Sequence, residues 1–407
     1  MRPFTSTISL DEARRRLHAA VRPIPRIETI GLGDASGRVV AADVTSPIDV
    51  PAFARAAMDG YAVIAADTAA ATPADPATLR LVDRIYTGRT SNVTVKPGTC
   101  AEIATGAPMP AGADAVVMVE ETAAAGDHIQ IRVPTAPGRN IGRSGADIAT
   151  GDVVVRAGEV LTPSRIGALA AIGRPEVTAY AKPRVAILST GNEVVDPGKP
   201  LQAGQIYDVN RYTLAAIVDA HGGVPQPHRT AQDTIESLIE ALDACGGADL
   251  IVFSGGSSVG ERDLVSDLIA AQGEMVFHGI AVRPGKPTAF ARVRTSGGSV
   301  DTPFFGMPGN PTSCLSNAYI LLIPFLRATA RLPPHTPRRA RVPIGQRIVS
   351  AAGRHQFHTV RLRDGAAYTA FKGSGDITSL SQADGYIEIP GEQSVVEEGA
   401  LVDVTFF

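Results

Sequence analysis

The run "FSGGSSVGERD" at residues 253–263 follows the apolar stretch "ADLIV". Gly255 and Gly256 leave their backbone amides bare, Ser254, Ser257 and Ser258 add short hydroxyls, and Asp263 stands where a helix is expected to begin. Such a turn suits an anion, because its amides point outward and a helix start adds positive partial charge. Two more polar turns follow expected strands, "STGNEVV" (189–195) and "MPGNPTS" (307–313). Carboxylates repel a bare phosphate, so Glu193, Asp233 and Asp263 beside these turns suggest a divalent cation between protein and ligand. Helix capping or turn formation is the alternative for each taken singly. "VRPGKP" (282–287) holds Arg283 and Lys286 in a turn stiffened by two prolines, which suits an oxyanion. "PGNP" is similarly rigid through Pro308 and Pro311, with Ser313 near the next helix start.

Other candidates are weaker. Asp59 in "AAMDGYAV" and Thr105 in "ATGAPMP" read, each alone, as turn and loop residues. "HQFH" (355–358) has metal-like spacing, but in a strand those two histidines face opposite sides. The chain has no G-x-x-x-x-G-K-[ST] and no well-placed G-x-G-x-x-G, which disfavours P-loop hydrolysis and ordinary NAD binding.

The elements that must position these turns are readable. "SLDEARRRLHAAV" (9–21) has capping-box spacing and an apolar stripe, and reads as a helix ended by Pro23 and Pro25. Short strands such as "LRLVDRIY" and "HIQIRV" then run to about residue 160, and the Ala-rich 66–78 segment reads as a surface loop. From Lys182 the texture changes. Continuous apolar strands ("RVAILST", "DLIVFS") alternate with helices at 211–223, 234–245, 263–272 and 312–329, which predicts a doubly wound, three-layer α/β domain. In that architecture the three polar turns converge at the carboxyl edge of the sheet. A Pro-rich linker (331–342) precedes short strands of a small C-terminal β-barrel-like domain.

The 407 residues predict two to four domains. The texture changes put boundaries near 182 and 331. A net charge of −3 gives no broad nucleic-acid footprint. Cys100, Cys245 and Cys314 are too few and scattered for a disulfide framework or zinc site. No apolar run is long enough to span a membrane and no signal-peptide core opens the chain, so a cytoplasmic protein is expected.

The motifs "AMDGYAV", "TGAPMP", "GRSGADI", "LSTGNEV", "GQIYDVN", "SGGSSVGERD", "RPGKPTAF", "GMPGNPTS" and "GSGDITSL", in this order along nearly the whole chain, resemble the molybdopterin molybdenumtransferase family (MoeA, and the E domain of gephyrin). The resemblance implies a homodimer with four domains per chain: an elongated N-terminal domain at 1–45 with 146–181, an inserted mainly-β domain at 46–145, a molybdopterin-binding type of α/β domain at 182–330 and the C-terminal β domain at 331–407. It implies insertion of molybdate into adenylylated molybdopterin, with cleavage of the pyrophosphate link, release of AMP and a requirement for Mg²⁺. Molybdopterin adenylyltransferase and apo-molybdoenzymes or their chaperones are the implied partners. By motif position, Asp59, Thr105, Asp147, Glu193, Asp233 and Asp263 match the family's catalytic acidic and hydroxyl residues, with Glu193 and Asp263 as metal ligands. Ser254, Gly255 and Gly256 belong to the anion turn, while Arg283, Lys286, Pro308, Pro311, Ser313 and Ser374 match the molybdate-associated positions. In the dimer, the N-terminal motifs of one chain are expected to face the α/β crevice of the other. Arg283 stands where lysine is common, and Asn192 where the family usually has Asp. Thr359 stands where an arginine often does, and Arg361, two residues on, is expected to restore that charge. A competence-damage-type nucleotide pyrophosphatase and a non-catalytic carrier or scaffold are the rival readings.

Overall fold

The computed structural model describes residues 7–255, 264–296 and 301–407; Gly256, Ser257, Ser258 and Asp263 lie outside the described residues. The chain forms two compact units, Thr29–Ala179 and Met1–Glu28 with Tyr180–Phe407.

In the second of these, six strands lie in the order Val224–Pro227, Arg184–Ser189, Leu250–Ser254, Thr302–Met307, Ala289–Val293 and Gly273–His278. The first four are parallel and the last two run antiparallel to their neighbours. Alternation explains why their sequences are apolar throughout. Val185, Ile187, Leu250, Val252 and Phe305 meet helix residues Leu214, Ile217 and Leu326 in one core. Their neighbours Ala186, Leu188, Ile251, Phe253 and Phe304 meet Leu238, Leu242, Val265 and Leu268 in another. Both faces are thus covered, as parallel strands require.

Ser9 caps helix Leu10–Ala20 by accepting from the Glu12 amide at 3.1 Å. Its stripe of Leu10, Ala13, Leu17 and Ala20 is buried in the α/β core, so this helix lies with that unit and not with the 29–45 segment. The expected helix at 312–329 starts at Pro311 and runs as Pro311–Asn317, a wider π-type turn at Ala318–Leu322, and Ile323–Thr329. Pro324 explains the widening: it has no N–H to donate, and its ring would crowd the carbonyl one turn back.

The C-terminal strands follow the order His355–Arg363, Gly385–Ile389, Leu401–Phe406 and Arg339–Pro343. The hairpin partner Ala366–Thr369 also pairs with His355–Arg363, and a bridge from Ile344 to Ala367 gives the barrel-like return. One strand is supplied from the α/β region: Val282–Arg283 pairs in parallel with His355 and Gln356. That pairing fixes Arg283 to the C-terminal sheet.

In Thr29–Ala179, a six-stranded sheet runs Ala115–Met118, Gly60–Val63, Thr99–Ile103, Ala77–Ile85, His128–Ile131 and Thr122–Ala125. A separate core of Ala35, Val40, Val155, Leu161, Leu169 and Val177 packs beneath helix Pro163–Ala171. The Ala-rich segment is partly packed, with Thr68 and Ala71 buried.

Phe290 is fully buried, with ring centroids 4.9 Å from Phe305 and 5.4 Å from Phe325, and so joins the sheet to the last α/β helix. Phe290→Ala is expected to destabilise this unit by about 3–5 kcal/mol, read as a lowered urea midpoint.

Candidate functional site

In the α/β order, the chain first adds Val224–Pro227 to one side of Arg184–Ser189 and then Leu250–Ser254 to the other. Loops leaving the carboxyl ends of those two strands therefore part at a switch point, where such sheets bind ligands. A cleft of about 970 Å³ opens there. Thr190, Gly191, Ser254, Gly255, Pro308, Pro311 and Ser313 line it, and Arg283, Lys286 and Ser374 reach it from neighbouring segments. The described parts of the three polar turns thus meet as the sequence suggested, and the "RPGKP" turn joins them.

The turns are held by buried polar contacts. Asn210 donates through its side-chain nitrogen to Ser254 Oγ and to the Gly309 carbonyl, both at 2.7 Å. It thereby ties two strand ends together, while its Oδ1 is buried with no hydrogen-bond partner among the described residues. Asn317, fully buried, donates to the Gly285 carbonyl at 2.9 Å and to Thr288 Oγ1, holding the "RPGKP" turn from below. Two glycines are required by this packing. Gly255 has φ +120° and a Cβ there would lie 2.5 Å from the Thr190 carbonyl oxygen. Gly285 has φ +102° and a Cβ would lie 2.3 Å from Asn317 Nδ2. The loop carrying Ser374 docks on "PGNPT": Asn310 Nδ2 donates to Ser374 Oγ at 3.0 Å, and the Thr312 amide donates to the Ser374 carbonyl at 3.1 Å.

Charge is divided across the cleft lining. Glu193, Asp208 and Asp233 contribute acid, whereas Arg283, Lys286, Arg354 and Lys372 contribute base. Asp233 accepts from Thr190 Oγ1 and, at 3.4 Å, from the Asn192 amide, so it is anchored to the first turn. Asp208 is buried and accepts from the Arg211 amide at 3.0 Å. Among the described residues no three His, Cys, Asp or Glu side chains form a ready metal cage. The donors still fit Mg²⁺, which takes one or two carboxylates plus substrate phosphates more often than an all-protein cage. Glu193 is such a carboxylate; Asp263 lies outside the described residues.

Arg361 is placed elsewhere. Its Nε donates to the Gln382 carbonyl at 2.7 Å, and it lines a neighbouring cavity instead of the cleft. Thr359 is fully buried opposite Tyr386, whereas Arg361 lies opposite Tyr368, so the two residues have different cross-strand neighbours. The two histidines of "HQFH" also separate, His355 bonding Glu388 and His358 bonding Thr369.

In the other unit, Asp59 Oδ1 accepts from the Thr105 amide at 2.7 Å and from Thr105 Oγ1 at 2.9 Å. The backbone bond, with the hydroxyl bond behind it, lowers the Asp59 carboxyl from its ordinary range. The Asp147 amide donates to the Val50 carbonyl at 3.0 Å. Next to Val50, Asp49 accepts from Thr150 N and Oγ1 and from Ser144 Oγ, a carboxylate the sequence reading did not single out. Asn210, Asn317, Arg354 and Lys372 were also missed. Asn210 closes the quoted "GQIYDVN" and Lys372 precedes "GSGD", but nothing in "SNAYI" marks Asn317.

Three family models match in succession: the MoeA N-terminal region (domain I and II) over residues 8–173, a probable molybdopterin binding domain over 186–328, and the MoeA C-terminal region (domain IV) over 341–407. Molybdopterin molybdenumtransferase 2 of Mycobacterium tuberculosis is 37% identical over 396 residues, covering 95% of each chain. Molybdopterin molybdenumtransferase of Haemophilus influenzae is 32% identical over 410 residues, covering 98% of each. The crystal structure of the molybdopterin biosynthesis MoeA protein from Pyrococcus horikoshii superposes with a TM-score of 0.84 at 37% identity, covering 98% of this chain and 99% of that one. The chain belongs to the molybdopterin molybdenumtransferase family, a family of enzymes.

Burial, reinforced by the Arg283 cation, pushes the His358 ring down to about 4. Burial likewise holds His221 at about 4. An unfolded imidazole takes its proton near pH 6.5, so stability is fully present above that pH and falls as pH drops from about 6.5 to 4. Buried His358 weakens the fold by up to about 1.4 kcal/mol per pH unit in that window, and half-buried His221, screened by water, by less. His358→Gln is expected to lessen, but not abolish, the loss of urea midpoint between pH 7 and pH 5, because His221 still titrates.

Proposed function

We propose that this protein acts in molybdenum cofactor biosynthesis by inserting molybdate into adenylylated molybdopterin and releasing AMP. The observation that carries the reading is a cleft at a sheet switch point whose lining joins glycine turns, an acidic set and a basic set. A diphosphate with a bound cation fits the acidic side, and a tetrahedral oxyanion fits the basic side.

In the reaction proposed, the substrate's dithiol gives two protons to one oxygen of molybdate, which leaves as water while two sulfur–molybdenum bonds form. A water adds across the P–O–P link, giving a phosphate monoester and AMP. Arg283 and Lys286 hold the oxyanion against the sulfurs, so that positioning lowers much of the barrier. The amides of Gly191 and Gly255, with Ser254 and Ser313, orient the phosphates. Glu193 with Asp263 would hold Mg²⁺, which supplies charge neutralisation at the diphosphate. Asp233, fixed by Thr190, orients water. Asp59, Thr105 and Asp147 are assigned to the same reaction by their motifs, and a homodimer is part of the proposal. An adenylyltransferase upstream and apo-molybdoenzymes or their chaperones downstream complete the expected partners.

AMP release from adenylylated molybdopterin by the purified protein with Mg²⁺ tests this. Release should depend on molybdate or tungstate, and Lys286→Ala should raise the oxyanion concentration needed for half-maximal release roughly ten-fold or more. Release indifferent to oxyanion would replace the proposal by a pyrophosphatase, and tight binding without release by a carrier.

A further inference from the structure

Beside the cleft lies a second cavity of about 570 Å³, lined by Arg361, Arg363, Lys372, Tyr368, Gln346 and Thr378 among others. It shares Phe371 and Lys372 with the cleft, so the two spaces adjoin.

The hairpin His355–Arg363 and Ala366–Thr369 sorts these residues by face. Val360, Leu362 and Ala367 pack in or against the C-terminal core. Arg361 and Arg363, in the opposite phase of the strand, share the other face, and Tyr368 lies directly across from Arg361. The Arg361 guanidinium is aimed by two bonds to Gln382, Nε to the carbonyl at 2.7 Å and Nη2 to Oε1 at 3.3 Å. Two of its five donors are thereby used for orientation. Arg363 is exposed, and Lys372 is steadied by donating to Thr378 Oγ1 at 2.9 Å. Against these three cations the lining has, among the described residues, one carboxylate, Asp364, at the turn of the hairpin. A pocket of this size, lined by three cations and net positive, suits a compact anion.

We propose that this cavity is a second binding site for a tetrahedral oxyanion, with Lys372 in the wall it shares with the cleft. The charge of Arg361 thus serves the adjoining space and not the cleft. The sources of such an anion, a metal oxyanion or the phosphate of a nucleotide monophosphate, share this chemistry, and naming them rests on the reaction proposed above.

Calorimetric titration of the full chain with tungstate is the test. Two sites per chain are expected in the unaltered protein. Arg361→Gln/Arg363→Gln should weaken one of them about ten-fold or more, leaving the other and the urea midpoint unchanged. Arg361→Lys/Arg363→Lys should recover part of the lost affinity. Lys286→Ala should instead weaken the cleft site alone. Competition by AMP at the Arg361 site assigns it to a phosphate monoester, and indifference to AMP assigns it to the metal oxyanion; both support an oxyanion site. Tungstate binding that is identical in the unaltered protein and the folded double glutamine variant would overturn the proposal. The reading of the cleft fails separately, if Lys286→Ala leaves tungstate binding unchanged while the double variant still loses a site.

Discussion

Parallel strands cannot satisfy the backbone groups of the loops that leave their carboxyl ends, and in this protein two buried asparagine side chains meet that need. Asn210 bonds both the Ser254 hydroxyl and the Gly309 carbonyl, and Asn317 bonds the Gly285 carbonyl beneath the "RPGKP" turn. Without these bonds, buried acceptors would be left unpaired at a cost of about 1–3 kcal/mol each. The same contacts hold the glycine turns close enough that no Cβ fits at Gly255 or Gly285. Packing and chemistry therefore have one origin. The backbone is brought close because amides clamp it, and close backbone is what a phosphate needs.

The C-terminal domain completes the cleft. Its sheet recruits Val282–Arg283 as a strand, and its 373–376 loop is bonded to the "PGNPT" turn through Ser374 and Asp376. Cations thus enter the site from segments tied to the C-terminal sheet, while Glu193 and Asp233 come from loops after α/β strands. Opposite charges carried on separate elements need not neutralise one another by pairing. They can meet opposite ends of a ligand bearing a diphosphate, its cation and an oxyanion. Each such contact is worth about 1 kcal/mol in water at 4 Å and more as water is excluded.

The sequence made local rules visible and left non-local ones hidden. The cap at Ser9, the buried strand "VAILS" and the convergence of the described parts of three polar turns follow from short-range pattern and the parallel-sheet rule, and they are present. Asn317 carries no local signal because its partners lie 32 and 29 residues away. The annexation of Val282–Arg283 depends on a pairing with residues past 350. Arg361 shows a subtler limit. By strand parity Arg361 falls on the same face as Thr359, but His355–Arg363 pairs with Gly385–Ile389 up to Val360 and with Ala366–Thr369 from Val360 onward. Residues on one face of the strand thus look onto different surroundings. Motif order, by contrast, identified the family, because it samples the whole chain.

Under the proposed function, the basic part of the cleft, built by Arg283 and Lys286, holds the oxyanion beside the glycine turns. The most direct measurement is anomalous diffraction from crystals grown with tungstate, with the tungsten position located relative to the described turns. A peak within hydrogen-bonding reach of Arg283 and Lys286, absent in Lys286→Ala crystals, is the predicted result. A cleft without tungsten, in crystals where the ion binds elsewhere on the molecule, would contradict the account.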